Sequence, residues 1–447
     1  MVQKMSSNTK KLILGILVTL GVLLLFRVGY WVTLPFINTT LTNPVDFGFL
    51  NAISGGALGR FSLLCLGITP YITSSIVIQL LEMDIIPILK EWREGGKEGK
   101  QKLNQLTRYV SLVLAFIQAL TLTIGISINY SDVYFVPSFT NVNQPVLFAY
   151  MAIVATAGTA FTLWLAELIS KYGIGNGSSM IICAGIIASY PAMLKDLTSQ
   201  FVSTEDTRNI WVYASTLVVM LLIVVFIVFM ESAKRTIPVQ YANRPSSAQF
   251  RGKNDSNIPI KLNSASVIPV IFASTLMALP VTIVQMAGLT TNYDSATSQY
   301  KIGYWLNQIF STTSTNDTNV TINIIGFTLY IVLIFLFSFF YTFLQMNPED
   351  MADNLQKQNA FIPGVRPGEE TVGYISRVIF KITMVGGTYL TFVAILPIIW
   401  STIFDLPSSV RVGGTGLIII VGVAMETAKQ IKEAKQEREY KGFLDLE

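Results

Sequence analysis

The residue types that make and break bonds are thinly spread in this sequence. It contains no histidine, which excludes Ser-His and Cys-His nucleophilic pairs, His-ligated metals and His proton relays. Its two cysteines, Cys65 and Cys183, lie in apolar stretches and read as small buried hydrophobes, not as a disulfide framework. A paired-aspartate protease would need two aspartates at membrane depth, whereas Asp84, Asp350 and Asp353 fall in loops. No enzyme activity, no cofactor and no metal is expected. The stretch Ile53 to Ser75 reads ISGGALGRFSLLCLGITPYITSS. It is apolar enough to continue into a membrane span, yet it is crowded with Gly, Ser, Thr and Pro and carries Arg60. A helix built only to cross lipid has fewer breakers. Gly67 and Pro70 stand among these breakers, where a break in the helix is expected.

The elements that must carry such a segment follow from composition. The 447 residues are 51% hydrophobic and 13% charged, against about 25% charge in a soluble domain. The chain is therefore a polytopic membrane protein. Apolar runs predict ten spans near 12–34, 61–83, 107–128, 147–170, 177–195, 210–230, 265–286, 322–346, 376–400 and 412–428. With ten spans, alternate loops and both ends share one side, and that side carries 25 of the 31 Lys and Arg residues. The positive-inside rule then puts both termini in the cytoplasm. The start, MVQKMSSNTKK before LILGILVTLGVLLLF, has the look of a signal peptide but is expected to stay as the first span.

Two loops on that basic side are long. In 231–263, TIPVQYANR and NIPIKLN alternate like strands around a polar PSS turn, so a protruding hairpin is expected. In 346–375, PGVRPG fixes a stiff turn that presents Arg366. Stiff basic loops suit an acidic protein or ribosomal RNA. An internal echo is also visible. GIGNGSSMIICAGI from Gly173 pairs with GGTGLIIIVGVAM from Gly413, and GITPYITSS with VIPVIFAST from Val267. Five spans per half would make this an inverted repeat, with a pathway at the interface of the halves.

These residues carry a resemblance. SGGALGRFSLLCLGITPYITSSIVIQLL, RYVSLVLAFIQ, GIGNGSSMIICAGI, RTIPVQYANR, IPIKLNSASVIPVIFAS, NPEDMADNLQKQNAFIPGVRPG and GGTGLIIIVGVAM resemble the SecY family in order and spacing, almost end to end. The family is that of the channel subunit of the bacterial protein translocon. The resemblance implies an all-α fold of ten transmembrane helices in two pseudo-symmetric halves, residues 1–205 and 206–447, and a protein-conducting channel in the bacterial cytoplasmic membrane. The channel would pass secretory proteins outward and insert membrane proteins. An apolar pore ring carries over to Ile68, Ile72, Ile182, Ile271 and Ile419. The sixth matching position is Ser178, which departs from the isoleucine common in the family. A plug carries over to about 49–61, with Ser54, Gly55, Gly56, Ala57, Leu58, Gly59 and Arg60 at its centre. A lateral gate is expected at Gln118, with Thr73, Ser75, Ser274 and Thr275 facing it.

The implied partners are SecE and SecG-like small membrane subunits, the motor ATPase SecA, the ribosome, signal peptides, nascent polypeptides and the lipid bilayer. Arg366 matches the arginine that serves SecA, and Arg244 matches the basic end of a Q-Y-A-K-R motif. Asn243 replaces the lysine of that motif, and Ala248-Gln249 replaces a basic pair at the hairpin tip, with Arg251 and Lys253 nearby to compensate. Two other readings stay open. One is an accessory SecY-type channel for a restricted substrate set. The other is a secondary transporter, which the lack of ionisable groups at midplane disfavours.

Overall fold

The computed structural model describes residues 7–37, 49–82, 85–134, 144–202, 207–241, 256–286, 305–306, 309–310 and 320–444. Eight of the described helices are long and apolar enough to cross a membrane. They lie in α1 (Ser7–Gly29), α5 (Gly96–Tyr134), α6 (Gln144–Tyr172), α7 (Gly177–Phe201), α8 (Thr207–Ser232), α10 (Val320–Gln345), α12 (Glu369–Ile403) and α13 (Ser408–Leu444). Shorter apolar helices stand where the second and seventh spans are expected, within α3 (Thr69–Leu81) and α9 (Ile268–Met286). Each begins on an X-Pro step, Thr69-Pro70 or Ile268-Pro269. Proline suits the first helical turn, where its missing N–H has no acceptor to lose. The expected break is found. Gly67 adopts φ +53°, residues 61–68 form turns and not helix, and α3 starts two residues later. The second span is thus shorter than the 61–83 read from hydropathy.

The first helices pack in sequence: α1 on α6 and α7, α3 on α5, α5 on α6, and α6 on α7. The later ones do likewise: α9 on α10, α10 on α12, and α12 on α13. The two groups meet where α3 and α5 touch α9 and where α7 touches α8 and α13. Much of the outer surface is apolar. Leu14, Leu17, Leu24, Val218, Leu221, Leu222 and Phe229 of α1 and α8 are exposed, as lipid-facing side chains must be.

The fold is mostly helical but not entirely so. The strand-like arms form a hairpin of β1 (Lys234–Tyr241) and β2 (Ser256–Lys261), in register from Lys234 opposite Lys261 to Val239 opposite Ser256. A third strand, β3 (Ala360–Phe361), pairs with the other edge of β1 through Gln240 and Tyr241. The two long loops are therefore one unit. Ile237, Val239 and Ile260 of the hairpin share a buried cluster with Ala352 and Leu355 of α11 (Pro348–Lys357) and Ile375, Ile379 and Ile382 of α12. Helix α11 is well specified locally. Asn347 caps it by accepting from the Glu349 N–H, and Glu349, Asp350 and Lys357 match the helix dipole.

Candidate functional site

Five of the six expected ring positions fall in one large buried apolar cluster. Ile68 is the residue before α3 and Ile72 is one turn into it; Ile182 comes from α7, Ile271 from α9 and Ile419 from α13. All five are buried and belong to one apolar cluster. Close backbone approach makes this possible. A side chain at Gly416 of α13 would reach Ile186 of α7 at 2.5 Å. Ser178 stands apart. It lies in the first turn of α7, where its N–H and hydroxyl both donate to Asn176 Oδ1, at 3.2 and 2.8 Å. It is partly exposed and outside the cluster.

The segment expected as a plug is a short helix, α2 (Phe49–Ile53), followed by turns through 68. The helix stops early because side chains compete for the backbone. Gly59 N–H donates to Asn51 Oδ1 (2.9 Å) and Leu58 N–H to Ser54 Oγ (3.1 Å), and such bonds favour turns over helix. Gly55 and Gly56 take φ +70° and +85°, a region that glycine enters without steric cost. Ser54, Gly55, Ala57, Leu58 and Gly59 are buried, Gly56 is half-buried and Arg60 is exposed. The helix touches α7, α9 and α13, and its Ile53 joins the same cluster as the ring isoleucines. Gly185 of α7 faces the Ile53 carbonyl so closely that no side chain fits there. The return path is pinned by an isolated bridge between Thr33 and Ser62, with Leu34 N–H donating to Phe61 O (2.9 Å).

Between α3/α5 and α9 the helices are in contact, so the seam is closed. Three of the polar residues expected there, Thr73, Ser75 and Ser274, bond within their own side. Thr73 Oγ1 donates to Thr69 O (3.1 Å), and Ser75 Oγ accepts from Gln79 Nε2 (3.1 Å). Ser274 shares a hydrogen bond with Tyr330 of α10 (3.2 Å). Thr275 is fully buried with its hydroxyl unbonded. Gln118 is half-buried on α5. Ser74, which sequence reasoning passed over, donates to Thr107 O at 2.7 Å and ties α3 to α5. Arg108 and Glu167 pair at 2.7 Å and tie α5 to α6.

At the sheet end, Arg366 is exposed on a turn bounded by Gly364 and Gly368, both at positive φ. The turn is held by its backbone. Arg366 N–H donates to Glu370 Oε2 (3.3 Å), and Arg366 O accepts from Thr371 Oγ1 (2.8 Å). The guanidinium is presented outward. Arg244, Arg251 and Lys253 fall in 242–255, outside the described residues.

Arg27, noticed in the sequence only as a charge within the first span, has partners in the structure. From α1 its Nη1 donates to Gly55 O (3.2 Å), and its guanidinium lies 4.2 Å from the Tyr30 ring centre. The only signal for it was a charge inside an apolar span.

Comparison with known proteins adds three findings. The SecY family model matches residues 62–428. The protein translocase subunit SecY of Halalkalibacterium halodurans is 41% identical over 436 residues, covering 96% of each chain. That of Staphylococcus carnosus is 41% identical over 443 residues, covering 98% of this chain and 97% of its own. Among solved structures, one described as "The structure of a protein conducting channel" superposes with a TM-score of 0.66 at 20% identity, covering 95% of this chain and 93% of that one. Sec61 in the canine ribosome-channel complex from the endoplasmic reticulum gives 0.64 at 19% identity, covering 95% and 93%.

Proposed function

The chain belongs to the SecY family, and from that premise we propose how it works as the protein-conducting channel of a translocase. It is a gated conduit, not a pump: energy comes from SecA, from translation or from the proton-motive force. The observation that carries the reading is one buried cluster that holds Ile68, Ile72, Ile182, Ile271 and Ile419 together with Ile53 of the plug helix. Apolar side chains offer ions no binding site and gate by dewetting. They also fit loosely around any extended polypeptide, because they demand no particular partner. The constriction therefore seals against ions and tolerates many sequences, and the plug completes the seal.

In this reading the ten apolar helices, short second and seventh spans included, form two five-span halves, 1–205 and 206–447, of opposite orientation. The shared X-Pro starts of α3 and α9 and the packing of α7 on α13 support the repeat. The protein sits in the bacterial cytoplasmic membrane with both termini inside, alongside SecE and SecG-like subunits. Signal peptides and nascent membrane helices enter between α3/α5 and α9. With Thr73, Ser75 and Ser274 bonded within their own sides, opening this seam breaks none of those bonds, and polar pairs in lipid contribute only about 0.6 kcal/mol each. Thr275, buried without a partner, gains one if an incoming backbone offers it. The hairpin and Arg366 form the cytoplasmic docking face for SecA and the ribosome.

The test is crosslinking. An export precursor stalled in transit is expected to crosslink to single cysteines at 182, 271 and 419, and not to lipid-facing positions such as Leu221, in a variant lacking Cys65 and Cys183. Crosslinks confined to lipid-facing positions, or none, overturn the conduit. Depleting the protein must also make uncleaved precursors accumulate. If they do not, the general translocon reading gives way to the accessory one.

A further inference from the structure

Among the described residues, the end of α1 holds the plug segment through side chains. Three contacts converge there. Arg27 Nη1 donates to Gly55 O at 3.2 Å. The Tyr30 ring lies against Gly56, where an added Cβ would meet Tyr30 Cε2 at 3.3 Å and the hydroxyl at 3.5 Å. Arg60, at the far end of the segment, stacks its guanidinium 5.3 Å from the Tyr30 ring centre and 5.4 Å from that of Trp31. Tyr30 thus carries Arg27 at 4.2 Å as well as Arg60, and Trp31 braces it edge-on at 5.4 Å. Helix α1 itself is anchored on α6 and α7, so it does not travel with the segment.

A guanidinium in an apolar span is costly to keep and marks function by default. A carbonyl presented by a tight glycine turn is a good acceptor for it, because glycine leaves the oxygen uncovered. A hydrogen bond from a charged donor is roughly twice as strong as a neutral one, yet a single such bond remains reversible. The stacking contacts are of the same modest order.

We propose that Arg27, seated on Tyr30, is the latch that holds the plug segment closed and sets the threshold at which a signal peptide releases it. Arg27 is a positioning residue: it touches the plug and not the translocating chain. The proposal rests on the reading of residues 49–61 as a plug. It goes beyond that reading in naming what restrains the plug and at which atom. A weak signal peptide fails because it does not displace Arg27 from Gly55; a strong one succeeds.

The test uses the intact translocase complex in liposomes, with two readouts: resting ion efflux, and export of a precursor with either an intact or a defective signal sequence. Arg27→Leu is expected to raise resting efflux about tenfold, the order expected from losing one charge-assisted bond. It should also raise export of the defective precursor while leaving the intact one at wild-type level. Tyr30→Leu should do the same, Tyr30→Phe should not, and Arg27→Leu with Tyr30→Leu should exceed Arg27→Leu alone by no more than about twofold if the two act as one device. A gain of export for the defective precursor reports a weakened closed state, whereas a defect in folding or assembly lowers export of both precursors. Equal loss of export for both precursors overturns the latch. Efflux within twofold of wild type in Arg27→Leu and Tyr30→Leu, with a leak in a variant lacking 53–60, overturns the latch and leaves the plug standing. A tight channel in all three overturns the plug reading itself. Where Arg27→Leu does not accumulate, Tyr30→Leu decides by the same two readouts.

Discussion

Replacing Gly185 by alanine tests the seating of the proposed plug against α7. Helix α7 passes the end of α2 backbone to backbone. A Cβ on residue 185 would press on the Ile53 carbonyl, 2.9 Å from its carbon and 3.1 Å from the Gly55 nitrogen, where ordinary contacts begin at 3.4 Å. The crowding atoms are backbone, so no rotamer change relieves them, and the carbonyl carbon must retreat by at least the 0.5 Å that separates 2.9 from 3.4 Å. Overpacking of this kind costs about 1–3 kcal/mol. If the closed state alone bears that cost, its weight relative to the open state falls by about 5- to 150-fold. The assay is single-channel conductance of the translocase in a planar bilayer, paired with export of a precursor carrying a defective signal. Gly185→Ala should increase open time and pass the defective precursor. Gly21→Ala, with nothing within 4 Å of its Cβ, serves as the control and should change neither. Wild-type conductance and selectivity in a normally assembled Gly185→Ala channel would refute the reasoning. So would a defect in which export of every precursor falls together, because that locates the damage in the α7–α13 packing.

Three further outcomes follow from the same geometry. Arg366→Ala leaves the turn's backbone bonds in place, so stability should change by less than about 0.5 kcal/mol. SecA-driven export should fall more than membrane-protein insertion, and equal loss of both in a reconstituted assay would sink the assignment. Asn263→Ala removes the donor, at 3.0 Å, to the buried Glu231 carboxylate and should cost about 1–3 kcal/mol. It would be read as a lower thermal midpoint of the purified protein, partly restored by Glu231→Gln; an unchanged midpoint counts against a structural role for the pair. Ser178→Ile keeps the backbone bond to Asn176 and adds apolar bulk one turn from Ile182, so it should reduce ion conductance through a channel lacking 53–60. Equal conductance would remove residue 178 from the ring.

The spans and the hairpin arms were legible because hydropathy and strand alternation are local signals. So was the break at Gly67, since only a residue that accepts positive φ ends a turn there, and Pro70 suits the helix that follows. The segment proposed as a plug was legible as a weak helix but not as five helical residues and a turn. That outcome depends on Asn51 and Ser54 out-competing the helical ladder, and sequence alone does not say which acceptor wins. The sheet was half legible. Pairing of Tyr241 with Ala360 joins segments far apart in the chain and leaves no trace in either. The gate residues were named by type, yet Ser274 turned to Tyr330 and Ser75 to Gln79, because a hydroxyl's partner is chosen by packing. Arg27 was visible as an oddity, and its acceptor, a backbone carbonyl, has no sequence signature.

Helix α12 is one of the longest elements in the fold, and its length has a consequence for how a substrate is delivered. Its 35 residues span about 52 Å at 1.5 Å per residue, while a hydrocarbon core is about 30 Å thick. Its first turns, from Glu369 through Ile382, are braced by α11 and the sheet. The excess is shared between the two ends. On the proposed docking side, the turns before the expected span at 376–400, from Glu369 to Ile375, add about 10 Å of braced helix between a bound machine and the lipid. An extended polypeptide covers about 3.3 Å per residue, so roughly three residues bridge that clearance before the first one reaches the level of the lipid.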